Sequence, residues 1–338
     1  MLSALGTIGW QIAPGIPSAI VSRTIANGAV TAYAISRSGT TLAYTMSDKA
    51  FYVSTDSGVT ITRKTDLLIS VDSLVISDDG NYAIAYNAVS TATTGNFAYI
   101  TTNGGSTWLK IASVDTRIRF AAMSSSGQYI CITGKAYGTT IANGGFWLST
   151  NYGTNWSQPA TTPASWSQYG NGTCSMLANG SQMIFCTRNG TGLFRSTNTG
   201  ASFNQLSIPA FQNFQGNQQT GCYIHTNFIV FASTTLVYSI DNGSTWTASS
   251  QLLASIPVNA FRGMATPFSG PSTIFYFKYF AGGSKLYKTE NYGVTESLYT
   301  SLVDVFLPGF LSMSDNTKFT LVYDTNSALK LITNNDIT

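Results

Sequence analysis

Two aspartates and a scatter of arginines are the residues of this 338-residue chain whose types best suit chemistry. Asp72 and Asp115 each stand shortly ahead of an apolar run, and Arg117 and Arg119 follow the second of them. Two carboxyl groups about 5–9.5 Å apart can act as acid and as base or nucleophile in glycoside hydrolysis, and neighbouring arginines would hold an anionic substrate. Both glutamates, Glu290 and Glu296, lie far along the chain, so only aspartates remain for that work. A second group suits binding. Tyr137, Trp166, Tyr169, Phe211 and Phe214 occur in or near stretches rich in Asn, Gln and Ser, such as SQPATTPASWSQYGNG from Ser157 and SIPAFQNFQGNQQTG from Ser207, and Arg188 and Arg262 accompany them. A pyranose stacks its C–H face on an aromatic ring while amides and hydroxyls bond its edge, so these residues are the expected ligand contacts. Their plainer role is packing loops onto the body of the protein.

Other reactive types give less. The four cysteines, Cys131, Cys174, Cys186 and Cys222, show no CxxC spacing and have one histidine, His225, to join them, which argues against zinc. Cys174 and Cys186 fall on the two arms of a predicted hairpin, close enough in sequence to pair, although small buried thiols in strands are the simpler reading. Ser77-Asp78-Asp79-Gly80 is faintly like a calcium loop but lacks the later bidentate carboxylate, and it reads as a turn. His225 has no Ser-His-Asp context. No metal and no cofactor are expected. A net charge of +3 is too small to make a field for nucleic acid, and no apolar stretch approaches the ~20 residues of a membrane span. The start, MLSALGTIGWQIAPG, lacks the basic residues and long apolar block of a secretory signal.

The elements that must position these residues come from a repeat. An eight-residue box, S/T-x-D/N-x-G-x-T/N/S-aromatic, occurs as STDSGVTI from Ser54, TTNGGSTW from Thr101, STNYGTNW from Ser149, STNTGASF from Ser196, SIDNGSTW from Ser239 and TENYGVTE from Thr289. The gaps of 47, 48, 47, 43 and 50 residues mark one supersecondary unit used repeatedly. Between boxes lies a second element, apolar run, turn, apolar run, as in SLVISDDGNYAIAY from Ser73 and CSMLANGSQMIFC from Cys174. Each is a hairpin, and each box is the turn of a second hairpin. Four antiparallel strands per ~47 residues make a propeller blade. Charged residues are 9% of the chain against roughly 25% in an ordinary domain, while Ser and Thr number 85, so the composition is that of strands and turns. The chain is therefore expected to be all-β, a single domain over 1–338.

The box has duties of its own. Asp56, Asn103, Asn151, Asn198, Asp241 and Asn291 are expected to accept backbone N–H groups within their turns, each following Gly to take positive φ, and Trp108, Trp156 and Trp246 to anchor neighbouring units. These residues resemble the Asp-box, or bacterial neuraminidase repeat, which Ser239 to Trp246 matches at every defined position. The resemblance spans most of the chain and implies a β-propeller like those of sialidases and sortilin-type receptors, without implying any one activity. Four boxes carry Asn for Asp, and the sialidase F/Y-R-I-P segment is missing.

Dividing 338 by 47 gives about seven, so one more blade is needed beyond the six boxes. Trp10 in Thr7-Ile8-Gly9-Trp10 is like a box exit, and LKLITNND from Leu329 is like a box entry, so residues 1–13 are expected to complete the last blade with 305–338. The expected function is a non-catalytic binding or structural module on an exterior surface, of a virion or cell, which takes a glycan or protein through the face opposite the boxes. A sialidase-like glycoside hydrolase and an assembly scaffold are the alternatives.

Overall fold

The protein was analysed as a computed structural model. It describes residues 20–87, 98–112, 114, 117–135, 145–159, 173–186, 192–208, 221–232 and 236–248, and then the strands between Met264 and Asn334. Among these residues there is no helix, and the strands group into seven antiparallel sheets, six with four strands and one with three.

The first sheet shows the plan: Val30–Ile35, Leu42–Met46, Phe51–Ser54 and Thr62–Arg63 pair in chain order, with a tight turn after the first strand and the box after the third. The second, fourth, fifth and sixth sheets, opening at Ser73, Cys174, Gly221 and Met264, repeat it. The third, opening with Arg117–Met123, has three strands, and a bridge between Leu148 and Ser157 marks where its fourth would run. The opening strands lie beside one another from the first sheet to the sixth. The sixth sheet meets the seventh through Thr295–Val305 and Phe319–Tyr323, and Ser312–Met313 of the seventh lies beside Val30–Ile35, so the sheets follow one another in a ring.

The seventh sheet is composite. Ser312–Met313, Phe319–Tyr323 and Ala328–Asn334 supply three strands, and the outermost is Ile20–Asn27, paired from Ile20 opposite Asn334 to Asn27 opposite Ala328. IVSRTIAN is rich in β-branched residues and suits a strand. Residues 1–13 and Trp10 lie outside the described residues.

Among the described residues the second strands of the first five sheets are buried almost throughout, so the core there is a series of layers between sheets. In Ala83–Tyr86 every residue is buried: Ala83 and Ala85 face the first sheet, with Phe51 and Val53, whereas Ile84 and Tyr86 face the third, with Ile118 and Ile130. Strands covered on both faces read as continuous apolar runs, and AIAY, ICIT and MIFC are such runs.

Candidate functional site

The boxes form one concentration of recurring polar geometry. In the first, Ser54 Oγ donates to Asp56 Oδ1 at 2.7 Å and accepts the Gly58 N–H at 2.8 Å, while Asp56 Oδ1 accepts the Thr60 N–H at 2.9 Å and Oδ2 accepts its hydroxyl at 2.6 Å. The fifth box repeats the set with Ser239, Asp241, Gly243 and Thr245. Asparagine keeps the geometry by reversing one bond: Asn103 Nδ2 donates to Thr107 Oγ1 at 2.9 Å and Asn198 Nδ2 to Ser202 Oγ at 2.8 Å. Asn151 accepts the Asn155 N–H at 3.0 Å. Asn291 lies outside the described residues.

In the five described boxes the residue before the box glycine also takes positive φ, a feature the sequence pattern assigns to glycine alone. Ser57, Tyr152, Thr199 and Asn242 have φ of 56–63° and Gly104 has 65°. This conformation aims their N–H groups at the first hairpin turn of the same sheet: Ser57 to Thr40 O, Gly104 to Asn81 O, Tyr152 to Gln128 O, Thr199 to Ser181 O and Asn242 to Asn227 O, all at 2.7–3.1 Å. In the first five sheets, boxes and first turns therefore share one face.

The residue ending each described box packs toward the preceding sheet. Trp108 sits edge-on to Phe51 with centroids 5.0 Å apart, Phe203 does the same to Phe146 at 5.0 Å, and Trp156, Trp246 and Ile61 join the corresponding layers. Trp156 and Trp246 donate Nε1 to Gly153 O and Gly243 O at 3.0 and 3.1 Å. Trp108 Nε1 is buried with no hydrogen-bond partner, since its ring turns to Phe51 instead.

Three arginines with structural duties escaped the sequence reading. Arg23 of the closing strand donates to Ser57 O at 3.0 Å, and Arg195 donates to Asn242 O at 3.0 Å and to Asn242 Oδ1 at 2.7 Å, so each ties one sheet to the next sheet's box. Burial pulls both guanidinium groups down from their ordinary range. Arg37, in the first turn, reaches across to the carbonyls of Met123 and Met176, which end the opening strands of the third and fourth sheets. It therefore spans the space between those strands on the box face. Aligning the turns SRSG, SDDG, SSSG and LANG puts Arg37 level with Asp78, Ser125 and Ala178, and a lone cation there was the available signal.

Within the two acidic boxes, the side-chain and backbone bonds from the threonine, and then the serine hydroxyl, hold the Asp56 and Asp241 carboxyls down to about 2. A carboxyl held below its unfolded value of about 3.9 stabilises the fold above that value and loses the contribution as pH falls towards 2. Replacing both by Asn is expected to flatten the fall in urea midpoint between about pH 4 and pH 2. The same fall in both proteins would contradict this assignment.

On the opposite face, Asp72 precedes the second sheet's opening strand and Arg117 begins the third's, so the two lie at corresponding ends of adjacent strands. Ser73 Oγ donates to Asp72 Oδ1 at 2.9 Å. Nearby, the buried Tyr86 hydroxyl accepts the Ala121 N–H at 3.2 Å, and burial raises its pKa, so this phenol is not set up as a nucleophile. Arg119 lies in the same strand as Arg117, and both side chains fall outside the described residues, as do Asp115, Tyr137, Trp166, Tyr169, Arg188, Phe211, Phe214 and Arg262. Ser77–Gly80 is a hairpin turn, with Asp79 Oδ1 accepting Ser77 Oγ at 2.6 Å and Asp78 Oδ1 accepting the Ser38 N–H at 3.0 Å. His225 ends a strand beside a turn. Cys174 stands opposite Phe185, so it and Cys186 point to opposite faces of their sheet and do not pair with each other.

Searched against protein-family models and against curated proteins, the chain matches none. Solved structures do match over nearly its whole length. The Myceliophteria thermophila Cps50 (Swd1) beta-propeller domain aligns with a TM-score of 0.63 at 10% identity, covering 92% of this chain and 98% of that one. YCF48 bound to D1 peptide aligns with a TM-score of 0.58 at 11% identity over 93% and 97%, and the RRP9 WD40 repeats with 0.58 at 8% over 92% and 97%. At such identities the likeness speaks for the fold alone, and with the ring of sheets described above it makes this chain a β-propeller.

Proposed function

We propose that the chain is a seven-bladed propeller of the Asp-box kind that binds a protein partner through the face opposite its boxes, without catalysing a reaction. The observation that carries this reading is how the described chemistry-bearing side chains are used. The carboxyls of Asp56, Asp79 and Asp241 are tied into turns, the Tyr86 hydroxyl is held by a backbone amide, and Arg37 spans the box-face end of the opening strands. The remaining candidates, Asp72 and the Arg117 position, belong to the opposite face. A propeller neighbour bound to a peptide, YCF48, supports a protein as the partner. The low-charge, Ser/Thr-rich composition suits an exterior surface, of a virion or cell.

Panning a peptide display library and a glycan array on the full chain tests the proposal. Peptides are expected to be enriched, with binding at least about tenfold weaker in Trp166→Ala and in Arg117→Ala/Arg119→Ala at an unchanged melting temperature. Enrichment of glycans alone would replace the protein partner by a sugar. Sugar release by the wild type, abolished in Asp72→Asn, would overturn the reading in favour of a glycoside hydrolase.

A further inference from the structure

We propose that the four cysteines form two inter-sheet disulfide sites, Cys131 with Cys174 and Cys186 with Cys222, which on oxidation staple the third, fourth and fifth sheets together. Strand alternation aims them so. Ile130 and Ile132 face the second sheet, while Cys131 between them faces the fourth, in a layer with Phe146, Met183 and Phe185 on which Cys174 packs. In the fourth sheet Met183 and Phe185 face the third, while Ile184 and Cys186 face the fifth, in a layer on which Cys222 packs.

The backbones come close at both places. Ile130–Lys135 approaches Cys174–Met176, and Met183–Cys186 approaches Gly221–His225, within 8 Å between Cα atoms. A disulfide needs Cα atoms roughly 4.4–6.8 Å apart, and strand alternation selects these two pairs among the approaching strands because it turns their cysteines into the same layer. Cys131 is fully buried, and Cys174 packs on the same layer from the neighbouring sheet. Cys222 Sγ accepts Thr173 Oγ1 at 3.1 Å, and Thr173 O accepts the Cys186 N–H at 2.9 Å, so one threonine bridges Cys222 and the Cys186 backbone. All four stand as thiols in the structure.

The neighbouring Cys131 thiol together with burial pushes the Cys174 thiol up, and burial does the same to Cys222. Protonated, buried thiols are poor nucleophiles, which places oxidation during folding, before the layers close. With glutathione disulfide as oxidant, one cysteine thiolate attacks a glutathione sulfur and releases one glutathione. The partner thiolate then attacks the mixed disulfide and releases the second. Two protein thiols become one disulfide, and their two electrons and two protons leave on two glutathiones.

The test is to refold the full chain in a glutathione redox buffer, unfold it, alkylate it and map its peptides by mass. Alkylatable thiols are expected to fall from four to none, with about 4 Da lost and peptides linked 131–174 and 186–222, and reduction should lower the urea midpoint. Cys131→Ser/Cys174→Ser should keep only the 186–222 link, and Cys186→Ser/Cys222→Ser only the other, so poor folding of one variant leaves the other to decide. A refolded chain with native circular dichroism that keeps four alkylatable thiols, or links Cys174 to Cys186, would overturn the proposal.

Discussion

A chain beginning at residue 28 will fail to hold the native fold, whereas one beginning at residue 20 will hold it. Ile20–Asn27 pairs with Ala328–Asn334 along nearly its whole length, so its removal uncovers a strand edge of unpaired N–H and C=O groups. It also strips the joint between first and last sheets. Ile25 and Ala26 pack against Leu42, Tyr44, Leu321, Leu329 and Leu331, and buried Arg23 donates to Ser57 O in the first box. About half a dozen hydrogen bonds at roughly 1 kcal/mol each, with the apolar area, amount to about 5 kcal/mol or more, comparable with the whole stability of a typical domain. The shorter chain should elute as aggregate and melt without a cooperative transition. Residues 28–338 running as a monomer with the wild-type melting curve would show that the ring does not depend on this strand.

That contrast also marks what was legible in the sequence. The box could be read because its bonds run within eight residues: Ser54, Asp56, Gly58 and Thr60 satisfy one another, so their spacing carries the turn. The first hairpins were equally local, and SLVISDDGNYAIAY folds as read, with Ser73–Ile76 and Ala83–Tyr86 about a turn. The part played by Ile20–Asn27 was not legible, since a fourth strand donated from the far end of the chain bears no mark of its distant partner. Arg37, Arg23 and Arg195 were missed for the same reason: each donates to a backbone carbonyl, 86, 34 and 47 residues away, and a carbonyl has no signature in sequence. The long connections expected to bear ligand contacts had composition without periodicity, so they named residue types but fixed no geometry.

Adjacent glycines in the second box should respond to substitution in opposite ways. Gly104 has φ of 65°, and a Cβ there would meet only Gly80 O, at 3.6 Å. The other boxes place Ser57, Tyr152, Thr199 and Asn242 at this position, and asparagine tolerates the left-handed region well, so Gly104→Asn should change stability by less than about 1 kcal/mol. Gly105 has φ of 83°, and its Cβ would fall 2.5 Å from two carbons of the Phe51 ring. That ring is 1% exposed and held edge-on by Trp108, so it has nowhere to go. Left-handed strain of about 1–2 kcal/mol adds to an overpacking cost of about 1–3 kcal/mol, giving roughly 2–5 kcal/mol for Gly105→Ala. Phe51→Leu separates the two contributions. It is destabilising alone, yet in its presence Gly105→Ala should lose the overpacking part and keep the backbone part, a coupling of at least about 1 kcal/mol in a double-mutant cycle of urea midpoints. Equal costs for Gly104→Asn and Gly105→Ala, or strict additivity with Phe51→Leu, would mean that the box glycine is not what seats one sheet against the next.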